Sequence, residues 1–314
     1  MSYNNYNRTN PWDGISRDIN DAVSVDEALR LGKLDWRVEQ HDVARMIPRE
    51  DGTVMFTQID GFKENFRSDT GKSLGIVRSR YQVCQNSEGF ELVDSLLDNN
   101  GIRLEAAGEI NGGRRIWMCG RLPEEKKILG DPFETYIVFA NSHDGTSAIQ
   151  CMITPIRVWC RNTLNLALRN NKRMWSTRHT GNLQWKIKEA EQVLMKTGHY
   201  MDELSTYADR MANTPLEEED LQTMLKYLFP YKDTDSDRKK QNMEEMKSNY
   251  MACYFMPDLT QFRGTQWGAI NAMADFVDHT TPKRKTQNYQ ENRWNKIMQG
   301  HDLVDNMMTL MAVK

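Results

Sequence analysis

Residues 112–123 read GGRRIWMCGRLP and residues 133–170 read FETYIVFANSHDGTSAIQCMITPIRVWCRNTLNLALRN. Three segments here carry strand signals: Arg115 to Leu122, Thr135 to Asn141 and Ala148 to Cys160. Each is rich in aromatic and β-branched residues and is bounded by Gly, Pro, Asp or Asn, so an antiparallel meander is expected. After Cys160 the signal changes. Asn162 can cap a helix in which Leu164, Leu166, Ala167 and Leu168 are good helix formers, which makes the local plan β-β-β-α. Polar residues alternate into the strands at Arg115, Arg121, Gln150 and Arg157, as in a sheet that buries one face and leaves the other for a partner.

Upstream, Ser24 followed by Glu27 is a capping-box signature for a short helix from Val25 to Leu31, closed by Gly32. Asp35 to Ala44, Thr53 to Ile59 and Ser73 to Val77 read as strands. Ser87 can cap a helix from Glu88 to Leu97 with Phe90, Val93 and Leu97 on one face, and Ile102 to Gly108 reads as a strand entering the Gly112-Gly113 turn. Before Ser24 the chain is polar and Asn-rich without periodicity, which suggests an extended arm that orders only against a neighbour.

Downstream, 171–182 (NNKRMWSTRHTGN begins at 170) reads as a basic loop. From Leu183 to Met211 the apolar positions follow the 4,3 alternation of a heptad, the mark of one long helix. Thr214 with Pro215 and three glutamates opens a further helix stopped by Pro230. Others are expected from about Arg238 to Tyr254, around Trp267 to Val277, and from Leu303 to Met311, with a basic stretch from Lys283 to Lys296 between the last two. The fold class is therefore α+β: an antiparallel β-meander followed by a helix as core, with a long helix and a helical C-terminal region. The expected divisions are a polar arm at 1–24, an α+β core domain at 25–182 and a mostly helical region at 183–314.

The segments LGIVRSRYQVCQNSEGFELVDSLL (Leu74 to Leu97), GGRRIWMCGRLP, NSHDGTSA (Asn141 to Ala148), TPIRVWCRNTLNLAL (Thr154 to Leu168) and RHTGN (Arg178 to Asn182) occur in this order. Together they resemble a family of phage- and plasmid-encoded proteins whose shared domain has no assigned function, over roughly Leu29 to Phe276. The β-β-β-α plan with its basic strand and helix junction is also similar to the core of phage single-strand annealing proteins. That second resemblance implies an oligomeric ring with DNA in a groove along its outer face.

Composition narrows the function classes. The chain has 314 residues, 27% of them charged, a net charge of -3 and a mean hydropathy of -0.72. No run approaches 18 apolar residues, and the N-terminus lacks a signal-peptide segment, so the expected location is the host cytoplasm, away from membranes. Cys84, Cys119, Cys151, Cys160 and Cys253 have no metal-ligand spacing and fit apolar strand patterns, which suggests buried thiols. No P-loop, dinucleotide fingerprint, HExxH or nucleophile elbow is present, so no cofactor, metal or catalytic residue is assigned. The Asn141-Ser142-His143-Asp144-Gly145 step has residues that a hydrolase uses. A structural turn, a ligand or oligomer contact, and catalysis all remain open there.

Charge is unevenly distributed. From Arg157 to Lys196 nine Lys or Arg stand against two Glu, a net of +7, whereas from Asp202 to Glu245 twelve acids stand against six bases, a net of -6. Such a chain can bind phosphate with one face and stay soluble. Arg157, Arg161, Arg169, Lys172, Arg173 and Arg178 form the candidate phosphate track, with Arg157 and Arg161 on one face of a strand that continues through them. Trp175 is the candidate stacking platform, because it falls in a polar loop, and Trp159 and Trp185 are interleaved with the track. The leading expectation is a non-enzymatic single-stranded DNA-binding protein, in annealing or recombination, acting as a homo-oligomer. The alternative is a phage counter-defence or regulatory protein that binds a host protein.

Overall fold

The computed structural model describes residues 10–90, 101–123, 125–157, 162–163, 174–183, 197–280 and 285–312. In chain order, β1 (Arg17–Asp18) leads to α1 (Val25–Gly32), and β2 (Val38–Pro48), β3 (Val54–Arg67) and β4 (Ser73–Arg78) then form an antiparallel sheet of their own. The main sheet adds β5 (Arg103–Ile110), β6 (Arg115–Arg121), β7 (Lys126–Ile128), β8 (Asp131–Ser142), β9 (Ile149–Arg157), β10 (Asn162–Thr163) and β11 (Met174–Thr177). Its order is β1-β5-β6-β8-β9-β10, with β7 also on β8 and β11 also on β9, and every pairing is antiparallel. Among the described residues there follow the α-helices α2 (Thr197–Ala212), α3 (Glu218–Leu228), α4 (Asp237–Tyr254), α5 (Gln266–His279), α6 (Tyr289–Gln299) and α7 (Asp302–Ala312), with a 3-10 turn at Pro257–Phe262. The protein is thus α+β, an antiparallel meander with a helical C-terminal region.

The central strands are buried on both faces, which is why they read as nearly continuous apolar runs. On β6, Ile116 and Met118 enter one core with α1, Trp36, Leu74 and Phe90, while Trp117 and Cys119 enter another with Trp12, Ile15 and Trp294. The helices close a third core, centred on the fully buried Trp267, against Phe133 and Ile153 of the sheet. Helix α5 is apolar all round, with eleven successive buried residues from Trp267 to Val277, because it lies in the middle of that layer.

Local signals explain most element ends. The Ser24 hydroxyl accepts from Glu27 N, as the capping box requires. Gly32 does not supply the left-handed C-cap of α1, however. Lys33 does, with φ of 55°, and Gly32 is needed because a Cβ there would sit 3.1 Å from Ala107 Cβ of β5. Cys84, Cys119, Cys151 and Cys253 are buried thiols; Cys160 lies outside the described residues.

Several expectations are corrected. From residue 10 the N-terminal segment packs on its own chain, with Trp12, Ile15 and Ile19 buried and β1 paired to β5. These apolar residues were hidden by their polar neighbours. The helix expected at Glu88 starts at 86, where Gln85 rather than Ser87 occupies the cap position: Glu88 Oε2 accepts from Gln85 N at 3.0 Å and Gln85 O from Gly89 N at 2.9 Å. Asn162 and Thr163 pair as strand residues with Arg157 and Ile156, so Asn162 is not the helix cap; the expected helix residues Leu164 to Leu168 lie outside the described residues. Thr214 and Pro215 precede α3, whose N-cap is Glu217, because Pro215 bridges to Thr265 instead. The basic stretch before the last helix is helical from Tyr289, in α6, and buries Trp294, which the charge density around it had masked. Of the long heptad helix, α2 is its second half, with Met201, Leu204, Ala208 and Met211 buried as the spacing requires; 184–196 lie outside the described residues.

Candidate functional site

Of the residues expected to contact nucleic acid, the structure describes Trp175 and Arg178 and the backbone of Arg157, on or next to strands at one side of β9. Strand β9 ends at Arg157, and β11 returns to it with Met174 opposite Met152, Trp175 opposite Cys151 and Thr177 opposite Ile149. The segment expected to be a loop therefore carries a strand, which the short MWST run among polar residues did not reveal. Trp175 is half-buried and packs against the core that contains Cys151, while Met174, Ser176 and Arg178 are exposed. Arg157 ends its strand opposite Asn162, and the shared face expected for Arg157 and Arg161 falls on residues outside the described ones. Arg161, Arg169, Lys172 and Arg173, with Trp159 and Trp185, lie outside the described residues.

The HDG step lies at a sealed polar centre. His143 follows β8, is fully buried and makes a T-shaped contact with Trp36, with ring centroids 5.4 Å apart. Asn86 donates through Nδ2 to the carbonyls of Leu34 and Trp36, so its Oδ1 accepts the 2.9 Å bond from His143 Nε2. That assignment leaves His143 Nδ1 unprotonated and without a hydrogen-bond partner among the described residues. Burial, reinforced by the nearby His179, pushes the His143 pKa down to about 3. His179 stacks on Tyr81 at 4.4 Å, and Tyr81 donates its hydroxyl to the Ser142 carbonyl. Asp144 turns away and accepts from Ser142 Oγ, Thr146 N and Thr146 Oγ1, fixing the turn at Gly145. The fold does bring His143 and His179 together. It seals them from solvent, so the arrangement shapes a corner and offers no substrate access.

A different cluster is open. A cavity of about 380 Å³ is lined by Asn10, Arg103, Glu105, Arg121, Glu134 and Tyr136 among others. The Tyr136 hydroxyl lies 2.9 Å from both Glu105 Oε2 and Glu134 Oε2, and Arg121 donates to Glu134 Oε1 at 2.6 Å. Burial and the two glutamates raise the Tyr136 pKa, which keeps its proton in place as a donor. Sequence reasoning flagged only Arg121. Neither Glu105 nor Glu134 stands out in the sequence, and the register of β5, β6 and β8 is what makes them neighbours.

These arrangements sit within a recognised family. A family model described as a domain of unknown function (DUF932) matches residues 73–298. The chain belongs to this family. No curated protein and no solved structure matches it. The DUF932 region opens on the first residue of β4 and ends in α6, so it holds the whole meander, the HDG corner and the basic segment, while β2 and β3 precede it. No helix among the described residues is long and apolar enough to cross a membrane.

Proposed function

We propose that this DUF932 protein is a non-enzymatic, phage- or plasmid-type factor that binds single-stranded DNA in the cytoplasm as a homo-oligomer, in annealing or recombination. The observation that carries this reading is the anchoring of residues 157–178, which hold six Lys or Arg and no acid, by β9 at one end and by β11 at the other, on a single sheet edge. A sequence-tolerant single-strand site needs cations along the backbone and a flat ring for the bases. Trp175 supplies a ring at that edge that is held by the core on one side and half-exposed on the other. The acidic stretch from Asp202 to Glu245 offsets the basic segment in the net charge, so a pI near 6.1 does not argue against a local phosphate track.

Fluorescence anisotropy with a labelled 30-nucleotide strand at several salt concentrations tests the reading. Replacing Lys172 and Arg173 together by alanine should weaken binding for all sequences alike and lower the salt slope by roughly 0.7 per lost phosphate contact. Undiminished affinity in that double variant removes the track.

A further inference from the structure

The Tyr136 hydroxyl faces two carboxylates with a single proton. Its oxygen lies 2.9 Å from Glu105 Oε2 and 2.9 Å from Glu134 Oε2, both within the range of an O–H···O bond. A phenol donates once, so it satisfies one of these contacts. The other brings two oxygens together with no hydrogen between them unless the carboxyl supplies it. A protonated carboxyl is a donor and completes the second bond. Two carboxylates that share a site do not both ionise readily, because each charge opposes the other.

Arg121 decides which glutamate carries the proton. Its guanidinium donates to Glu134 Oε1 at 2.6 Å but lies 4.0 Å from Glu105 Oε2, so Glu134 is the ionised partner and Glu105 the acid. The contact on the far side agrees. Asn10 Nδ2 donates to Glu105 Oε1 at 3.1 Å, which a neutral carboxyl accepts through its carbonyl oxygen while Oε2 carries the hydrogen. The donors then run in one direction, from Glu105 Oε2 to Tyr136 Oη to Glu134 Oε2. Neighbouring groups leave this order intact. Burial holds the Cys119 thiol of β6 protonated. Arg103 of β5 and Asp21 of the N-terminal segment line the same cavity with opposite charges and form no ion pair among the described residues.

This centre sits where the N-terminal segment joins the sheet. Besides the Asn10 contact, Ile19 N donates to the Glu105 carbonyl at 3.1 Å, and β1 pairs with Ala106 and Ala107. We infer that Glu105 keeps a proton at neutral pH, completing a Glu105–Tyr136–Glu134 chain, and that this proton makes the junction of the N-terminal segment with the sheet sensitive to pH. Its loss leaves one phenol hydrogen between two carboxylates. The folded state therefore holds the proton more tightly than the unfolded chain, in which a glutamate releases it at about 4.3. The contribution to stability is full below that value and declines as the pH rises, until Glu105 ionises in the fold. Its sense is opposite to that of a buried neutral histidine. The inference concerns the fold of one chain and does not depend on nucleic acid or assembly.

A Glu105→Gln substitution mimics the protonated carboxyl, offering an amide N–H to Tyr136 and a carbonyl to Asn10. Urea titrations of the full chain at several pH values compare this variant with the wild type, so that the other titrating groups cancel. The midpoint of Glu105→Gln should rise relative to wild type between about pH 5 and 7. Glu134→Gln, which takes away the counter-ion of Arg121, should instead unfold at lower urea than wild type at neutral pH. Infrared spectroscopy at neutral pH should show the C=O stretch of a protonated carboxyl in the wild type that is missing from Glu105→Gln. A Glu105→Gln midpoint that falls relative to wild type as the pH rises, or a Glu105→Gln protein that does not fold, shows Glu105 to be ionised and overturns the inference. So do infrared spectra without that difference, and a Glu134→Gln protein as stable as wild type overturns the assignment of the charge to Glu134.

Discussion

Trp294 of α6 stacks on Trp117 of β6 with ring centroids 4.8 Å apart and planes 26° from parallel. Trp12 completes the cluster, 6.4 Å from Trp117 and edge-on to Tyr136 at 4.7 Å. Three regions of the chain, the N-terminal segment, the meander and a C-terminal helix, are thereby locked on the face of the sheet opposite α1. Trp294→Ala should cost about 3 to 5 kcal/mol, the range for deleting a buried large aromatic side chain. Denaturant midpoints at constant m-value check this, and Trp294→Phe should recover part of the loss.

Gly108 of β5 lies where the N-terminal segment crosses the sheet. A Cβ there would fall on the Ile15 carbonyl oxygen and 2.8 Å from Trp117 Nε1, and the backbone cannot yield as a side-chain tip could. Gly108→Ala is expected to destabilise by about 1 to 3 kcal/mol and to expose the N-terminal segment to limited proteolysis. A cleavage pattern identical to wild type counts against the close approach.

His143 makes stability depend on pH with a definite sign. In the unfolded chain it takes up a proton below about 6.5, whereas folded it stays neutral until about 3. Between those values the unfolded state holds more protons, so stability is full above 6.5 and falls as the pH drops, by roughly 1.4 kcal/mol per unit. His301, pushed down to about 4 by burial, acts in the same direction. His143→Gln should be less stable than wild type at pH 7.5 but lose less on acidification, so the gap narrows from pH 6.5 to 4.5. Urea titrations at three pH values measure it; a constant gap contradicts the buried neutral imidazole. Because the site is sealed, no turnover of nucleic-acid or nucleotide substrates should depend on His143.

Tyr136 joins the two glutamates of the open cavity, and Arg121, itself about a third exposed, pairs closely with Glu134 and at 4.0 Å with Glu105. Tyr136→Phe removes the bridging hydroxyl without changing the ring that packs on Trp12. The expected loss is about 0.5 to 1.5 kcal/mol, the net worth of a hydrogen bond, because Arg121 still donates to Glu134 and Asn10 to Glu105. Arg103→Ala, at an exposed position lining the same cavity, should change thermal stability little.

Trp175 is half-buried, so Trp175→Ala mixes packing with binding. Trp175→Leu keeps an apolar side chain against the core and removes the ring. It should weaken single-strand affinity by about 1 to 3 kcal/mol with the salt slope unchanged, the signature of lost stacking. Equal affinity in a folded Trp175→Leu protein would exclude that ring as the platform.

Periodicity and caps were enough to read from the chain the meander around Trp117 and Phe139, the helix from Ser24, the second half of the heptad helix and the apolar α5, because each such signal is local. The tertiary structure alone decided what depends on register. Glu105, Arg121, Glu134 and Tyr136 lie on three strands and become one cluster only when those strands pair. Trp12, Trp294 and β11 were misread for a related reason: each is a short apolar feature inside a polar stretch, and its burial is set by a distant partner rather than by its neighbours. The HDG corner combines both cases. Its turn was legible from Asp144 and Gly145, while the neutral state of His143 comes from burial and from the nearby His179, which only the fold supplies.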